Sequence, residues 1–194
     1  MHLNKMKKVS LKTYLVLFFL IFFIFCSFWF IKPKEKKLKL EKLRYEEVIK
    51  KINAKNNQNL KSVENFITEN KNIYGTLSSL FLAKKYILDK NLDKALIQLN
   101  NSLKYTKEEN LQNILKIRIA KIKIQQNKNQ DAIKILEEIK DNSWKNIVEN
   151  MKGDIFMKNK EIKKAILAWK KSKYLEKSNA SKEIINMKIN EIKR

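Results

Sequence analysis

Residues 75–99 read GTLSSLFLAKKYILDKNLDKALIQL. Two apolar-periodic runs flank a polar Lys90-Asn91 turn, and each is long enough for several helical turns. Ala83 and Ala95 stand on either side of that turn, twelve positions apart, and Leu99 follows four residues beyond the second alanine. The arrangement recurs at Ala120, Ala132 and Leu136, and again at Gly153, Ala165 and Trp169. Leu96, Ile133 and Ile166, just after each second alanine, are apolar as well.

The spacing has a steric meaning. A small residue on a first helix and an alanine on a second mark where two antiparallel helices cross too closely for a larger side chain. The large residue one turn further lies on the same face and fills the space between successive pairs. The turns Lys90-Asn91, Asn127-Lys128 and Asn159-Lys160 offer asparagine, which tolerates the left-handed conformation, where many such repeats use glycine. The copies start 37 and then 33 residues apart, close to the ~34 of tetratricopeptide helix-pair repeats. Their usual closing proline is missing, so the repeats are degenerate, and an ordinary antiparallel bundle remains the competing arrangement. Leu99 and Trp169 read as core side chains.

Outward from the repeats, Leu38, Leu40, Leu43, Tyr45, Val48, Ile49 and Ile52 predict a helix. Residues 56–59 break it, and Leu60, Val63, Phe66 and Ile67 predict a short second helix before a loop over 71–75. Residues 179–194, with Ile184, Ile185, Met187, Ile189 and Ile192, read as a last helix covering the apolar end of the array. The chain holds only two glycines and one proline, too few for the corners of a sheet architecture. The expected fold class is all-α, a tetratricopeptide-like helix-pair repeat domain following a single N-terminal transmembrane helix.

That transmembrane helix is expected over 13–31, TYLVLFFLIFFIFCSFWFI, which carries no charge. At about 1.5 Å per residue it would span roughly 28 Å, near the ~30 Å of a bilayer core. Tyr14 and Trp29 lie near its ends, where amphipathic rings favour an interface, and Lys12 and Lys32 bracket it. Bulky residues at its end oppose signal cleavage, and Phe23, Ile24 and Phe25 before Cys26 oppose a lipoprotein signal. The expected organisation is a cytoplasmic tail at 1–12, the span, a juxtamembrane linker at 32–37 and a helical-repeat domain at 38–194. Lysines flank both ends of the run, so the positive-inside rule leaves orientation open.

The formal net charge is +23, from 43 Lys+Arg against 20 Asp+Glu. Only Arg44, Arg118 and Arg194 are arginine; the remaining cations are lysines scattered along the whole chain. Lys, Asn, Ile and Phe share A/T-rich codons, so codon bias inflates them together. Nucleic-acid readers concentrate charge and favour arginine for bidentate contacts, so no nucleic-acid partner is expected. The lone Cys26 sits in the apolar run and the lone His2 in the tail. Neither supports a disulfide or a metal site.

No nucleophile elbow, P-loop, dinucleotide turn or metal-spaced Cys/His set occurs. The acidic pairs 46–47, 108–109 and 137–138 are adjacent and so diverge by about 100° on a helix. They suit solvated faces or helix starts, while Asn110 and Asp141 suit helix caps. Neither an enzyme nor a cofactor is expected. Helix-pair arrays instead present the inner face of their first helices as a groove. Counted from the alanine pairs, that face holds Leu80, Lys84 and Ile87, then Ile117, Lys121 and Ile124, then Asn150, Asp154 and Met157. The same positions equally suit packing against the following helix.

The stretch ENFITENKNIYGTLSSLFLAKKYILDKNLDKALIQL, residues 64–99, resembles the ancillary SecYEG translocon subunits, the YfgM-like family of Gram-negative inner-membrane proteins. The resemblance continues through EENLQNILKIRIAKIKI, DNSWKNIVENMKGD and KKAILAWKK, and covers roughly residues 63–194. It implies a membrane-embedded, single-pass protein with a cytoplasmic N-terminus and a periplasmic repeat domain. Its implied partners are the SecYEG translocon, a PpiD-type periplasmic folding factor and unfolded secretory clients passed on to periplasmic chaperones. The short basic tail departs from the longer acidic tails of that family. A structural tether without client contact is the alternative function, and an anionic-lipid-binding role for the lysines is a third.

Overall fold

The computed structural model describes residues 11–53 and 60–192, with side chains at 14–24, 39–53 and 60–192. Helix α1 runs from Leu11 to Asn53, and α2 from Leu60 to Glu69. Three pairs follow: α3 (Ile73–Leu88) with α4 (Leu92–Tyr105), α5 (Glu109–Gln125) with α6 (Asn129–Glu137), and α7 (Lys145–Lys158) with α8 (Ile162–Leu175). A 3₁₀ turn at Asn142–Trp144 leads into α7, and α9 (Asn179–Glu191) packs on α8. The described residues divide into two compact units between Glu47 and Val48, within α1.

The expected transmembrane helix is overturned: among the described residues no helix is long and apolar enough to cross a membrane. The helix carrying the apolar run does not stop at Ile31 but continues through the lysine-rich stretch to Asn53. Its described apolar side chains, residues 14–24, cover roughly 16 Å at ~1.5 Å per residue, about half a bilayer core. The proposed cytoplasmic tail falls mostly on residues 1–10, outside the described residues, as does the expected break at 56–59. Leu40 and Leu43 are exposed, whereas Val48 and Ile52 are buried.

Four helices of the repeat region, α3, α4, α5 and α9, start on a side-chain cap. Asn72 caps α3, its side-chain oxygen accepting from the N–H groups of Tyr74 (3.0 Å) and Gly75 (3.2 Å). Gly75 therefore lies in the first turn of α3 rather than in a loop. Asn91 caps α4 and Ser178 caps α9. Glu108 starts α5 by accepting from Asn110 and Leu111, so Asn110 stands inside the helix and not at its cap. Asp141 caps the 3₁₀ turn through Ser143, and those bonds hold its carboxyl below the usual range.

The three intra-pair turns are one motif repeated. Lys90, Asn127 and Lys160 take positive φ angles of 58°, 61° and 63°. The N–H of the next residue in each case donates to the carbonyl five positions back: Asn91 to Tyr86 (2.8 Å), Lys128 to Lys123 (2.9 Å) and Glu161 to Phe156 (2.8 Å). This is the Schellman closure, which satisfies helix-end carbonyls only if one residue turns left-handed. Lysine fills that position twice and asparagine once, while Asn91 and Asn159 flank it.

All six small crossing positions are buried. Ala83, Ala95, Ala120, Ala132 and Ala165 are essentially inaccessible, as is Gly153. Leu99, Leu136 and Trp169 fill the spaces one turn further on. At the third crossing the fit requires glycine: a Cβ on residue 153 would lie 2.3 Å from Trp169 Cδ1. The core continues between pairs, with Ile117, Leu136 and Ile139 meeting Val148, Met151 and Ile155. At the other end Tyr86 donates to Glu64 Oε1 (2.6 Å), fastening α2 to α3. Burial first, and then that carboxylate, raise the phenol above its ordinary range.

Candidate protein-binding groove

Between α3 and α5 lies a groove of about 530 Å³, lined by Leu80, Phe81, Ala83, Lys84, Ile87, Leu88, Leu99, Ile114 and Arg118. Its floor comes from the crossing itself, through buried Ala83 and Leu99. Its walls come from α3 residues spaced three and four apart, which one helix face must present together. Phe81 and Leu88 remain 40% and 70% exposed, so the apolar wall is not closed by another helix of this unit. Lys84 and Arg118 add two cations, and no carboxylate lines the groove.

The nine residues expected on this inner face separate by repeat. Leu80, Lys84 and Ile87 all line the groove. In the second repeat Ile117 is instead buried in the cluster that joins α5 and α6 to α7, and Ile124 packs against it. Lys121 is exposed outside the groove lining. In the third, Asn150 and Asp154 serve α9. Lys188 Nζ donates to Asn150 Oδ1 (2.9 Å) and Asp154 Oδ1 (2.6 Å), and Trp169 Nε1 donates to Asp154 Oδ1 (3.0 Å). Met157 is 39% exposed and lines a separate depression with Trp169, Lys188 and Ile192.

The family described as tetratricopeptide repeat-like domain matches residues 9–194. A relative from Buchnera aphidicola subsp. Acyrthosiphon pisum (strain APS) is 59% identical over 92% of this chain and 94% of its own length. It is named an ancillary SecYEG translocon subunit. The subunit of that name from Escherichia coli (strain K12) is 31% identical over 77% of this chain and 73% of its own. One from Buchnera aphidicola subsp. Baizongia pistaciae (strain Bp) is 31% identical over 97% and 93%. The chain belongs to the family of ancillary SecYEG translocon subunits. No solved structure matches it.

In this family member the groove helices stand on a frame of hydrogen bonds between successive repeats. Gln126 donates to Asp93 (2.9 Å) and Trp144 to Asn110 (3.2 Å), while Asn129 donates to Asn159. Side-chain bonds at matching positions fix the stagger of the pairs, which apolar contact alone leaves loosely specified. Phe81, Leu88, Ile114 and Arg118 are groove residues that counting from the alanines missed. The signal that could have found them is helical phase: 114 and 118 lie one face round from 117 and 121, on the side of α5 turned to α3. Arg118 also stands out as the one arginine between residues 60 and 192.

Proposed function

We propose that this chain is a non-enzymatic adaptor of the SecYEG translocon that engages a protein partner through the α3–α5 groove. Identity of 59% along nearly the full length of a relative named for that complex supports carrying the association over. The observation that carries the binding role is the groove, in which Phe81 and Leu88 stay solvent-facing beside Lys84 and Arg118. Exposed apolar side chains gathered in one concavity mark interaction sites more often than singly scattered ones do. The finer part of the proposal puts the helical-repeat domain, residues 38–194, on the periplasmic face of the inner membrane. There it would work beside a PpiD-type folding factor and pass secretory clients to chaperones. That part rests on the family resemblance.

Purification of the tagged full chain in mild detergent tests the association: SecYEG subunits should come with it, and their absence overturns the proposal. Replacing Phe81, Lys84 and Arg118 by alanine together should lower partner recovery while leaving the thermal melt in place, since all three side chains are exposed. Undiminished recovery removes the groove from the translocon contact. A photo-crosslinker at position 81 should label varied secretory chains in actively exporting cells; labelling of fixed partners alone would reduce the protein to a tether. Protease added to spheroplasts should cut the repeat domain; protection of that domain refutes the periplasmic placement.

A further inference from the structure

Several cations close to the groove are already held by carboxylates. On α5 itself, Lys116 and Lys123 turn towards α6 and reach Glu138 (3.4 Å) and Asp131 (3.5 Å). Lys152 likewise holds Glu137 at 2.7 Å, and Lys188 holds Asp154 at 2.6 Å. Among the described residues Lys84 and Arg118 have no such carboxylate. They border apolar side chains in a lining with no acid of its own. In a chain whose cations are overwhelmingly lysine, the side chain at 118 is also the one suited to planar, two-point contact with a carboxylate.

We infer that the α3–α5 groove takes an amphipathic protein segment whose apolar side chains pack on Phe81 and Leu88 while a carboxylate of the segment sits on Arg118, with Lys84 alongside. The inference rests on the groove being the adaptor's binding surface and adds the chemistry of the partner. Two features favour an acidic-apolar segment over a neutral or basic one. Seating apolar side chains on Phe81, Leu88 and Ile114 displaces water from around the two cations. A carboxylate there gains more than it would on an open surface, because the local dielectric falls. A basic segment meets like charge in the same dry setting, and a neutral one leaves the guanidinium desolvated without a partner.

The +23 chain attracts any anion, so the test must separate the groove from the general field. Three labelled peptides of about twelve residues, sharing one Leu/Phe pattern and carrying Glu, Gln or Lys at the polar positions, are titrated onto the full chain near physiological salt, where long-range attraction is screened beyond ~8 Å. The Glu peptide should bind roughly tenfold tighter than the Gln peptide, and the Lys peptide weakest, as expected for a charge-assisted contact. Arg118→Gln should lose most of that advantage on the Glu peptide and change binding of the Gln peptide by less than about twofold. Lys134→Gln, which removes the same charge from an exposed position outside the groove, should leave all three unchanged.

Equal binding of the Glu and Gln peptides overturns the inference, and so does an equal loss in Lys134→Gln and Arg118→Gln. Binding to phosphatidylglycerol vesicles that depends on Arg118, without peptide selectivity, overturns it in favour of a lipid surface. The adaptor proposal is judged apart, on translocon recovery by the Phe81/Lys84/Arg118 triple variant. Lost recovery with no peptide selectivity sinks this inference alone, and retained recovery with clear selectivity sinks the groove's part in the translocon contact alone.

Discussion

Gly153→Ala is a small change with a large expected effect, because two helix-level forces oppose each other at that position. In an open helix, replacing glycine by alanine stabilises by about 1 kcal/mol. Here the added methyl would stand 2.3 Å from Trp169 Cδ1, 2.4 Å from Nε1 and 2.8 Å from Cγ. Ordinary contact begins near 3.4 Å, so the indole or the whole of α8 must retreat by about an ångström. The indole has nowhere to go. It is 4% exposed, its Nε1 donates to Asn150 O (3.2 Å) and Asp154 Oδ1 (3.0 Å), and Lys188 lies 5.5 Å above its ring. Overpacking of this kind costs about 1–3 kcal/mol. Weakening the indole's hydrogen bonds adds about 1 kcal/mol. Subtracting the helix gain leaves a net loss of roughly 2 kcal/mol, or a fall in Tm of about 4–8 °C for a domain of this size.

A double-mutant cycle isolates the cause. In a Trp169→Leu background the methyl meets a smaller, flexible neighbour, so Gly153→Ala should become neutral or stabilising by up to about 1 kcal/mol. The coupling is then roughly 2–3 kcal/mol, at the upper end of the range for touching residues. Urea unfolding followed by circular dichroism measures it, with hydrogen exchange of α7 and α8 reporting whether the loss is confined to that pair. Gly153→Ala that stabilises the parent chain, or that costs the same in both backgrounds, refutes the account of close approach.

Gly75→Ala should also destabilise, by about 2 kcal/mol or more as overpacking against backbone, since its Cβ would lie 1.8 Å from Asn70 O; a raised Tm would contradict this. Lys160→Gly should raise stability by about 0.5 kcal/mol, because relief of the left-handed strain exceeds glycine's extra unfolded-state entropy; a denaturant midpoint at or below the parent value would count against it. For acid sensitivity, Lys152 holds Glu137, Lys164 holds Glu161, and backbone N–H groups hold Asp141 and Glu176, all below their ordinary values. The folded state therefore binds protons less readily than the unfolded one. This contribution is full above about pH 4.5 and is lost as pH falls through the depressed folded values. Tm measured against pH should decline through that window, and Lys152→Met should make the decline shallower; an unchanged slope would remove Glu137 from the effect.

The helix pairs were readable because close crossing leaves a mark in sequence: Ala or Gly stands, buried, at 83, 95, 120, 132, 153 and 165. The turns were half readable. Asparagine drew attention to the right places, yet the left-handed residue is Lys90 in one turn and Lys160 in another. Helix closure sets that conformation, and a lysine pointing into solvent tolerates it. The apolar run at 13–31 was read by itself, but the helix it belongs to extends to Asn53. For the groove, one offset was applied to all three repeats, although stacking places their inner faces in unlike surroundings. Ile117 is covered by α7, whereas Leu80 and Ile87 face the opening left between α3 and α5. A single-helix periodicity holds no information about which neighbour covers which face.

In the third repeat the inner-face polar groups are taken up within the domain. Asn150 and Asp154 bind Lys188 of α9, and Asp154 also accepts from Trp169. The polar groups that could have met a partner are thus the ones that close the solenoid. An array of helix pairs must be closed somewhere, because its last pair has an apolar face with no successor. Here Ile185 and Ile189 of α9 cover that face over Ala165 and Trp169. The stability of the far end rests on groups a binding face would need, whereas among the described residues Arg118 and Lys84, in the first two pairs, have no carboxylate partner.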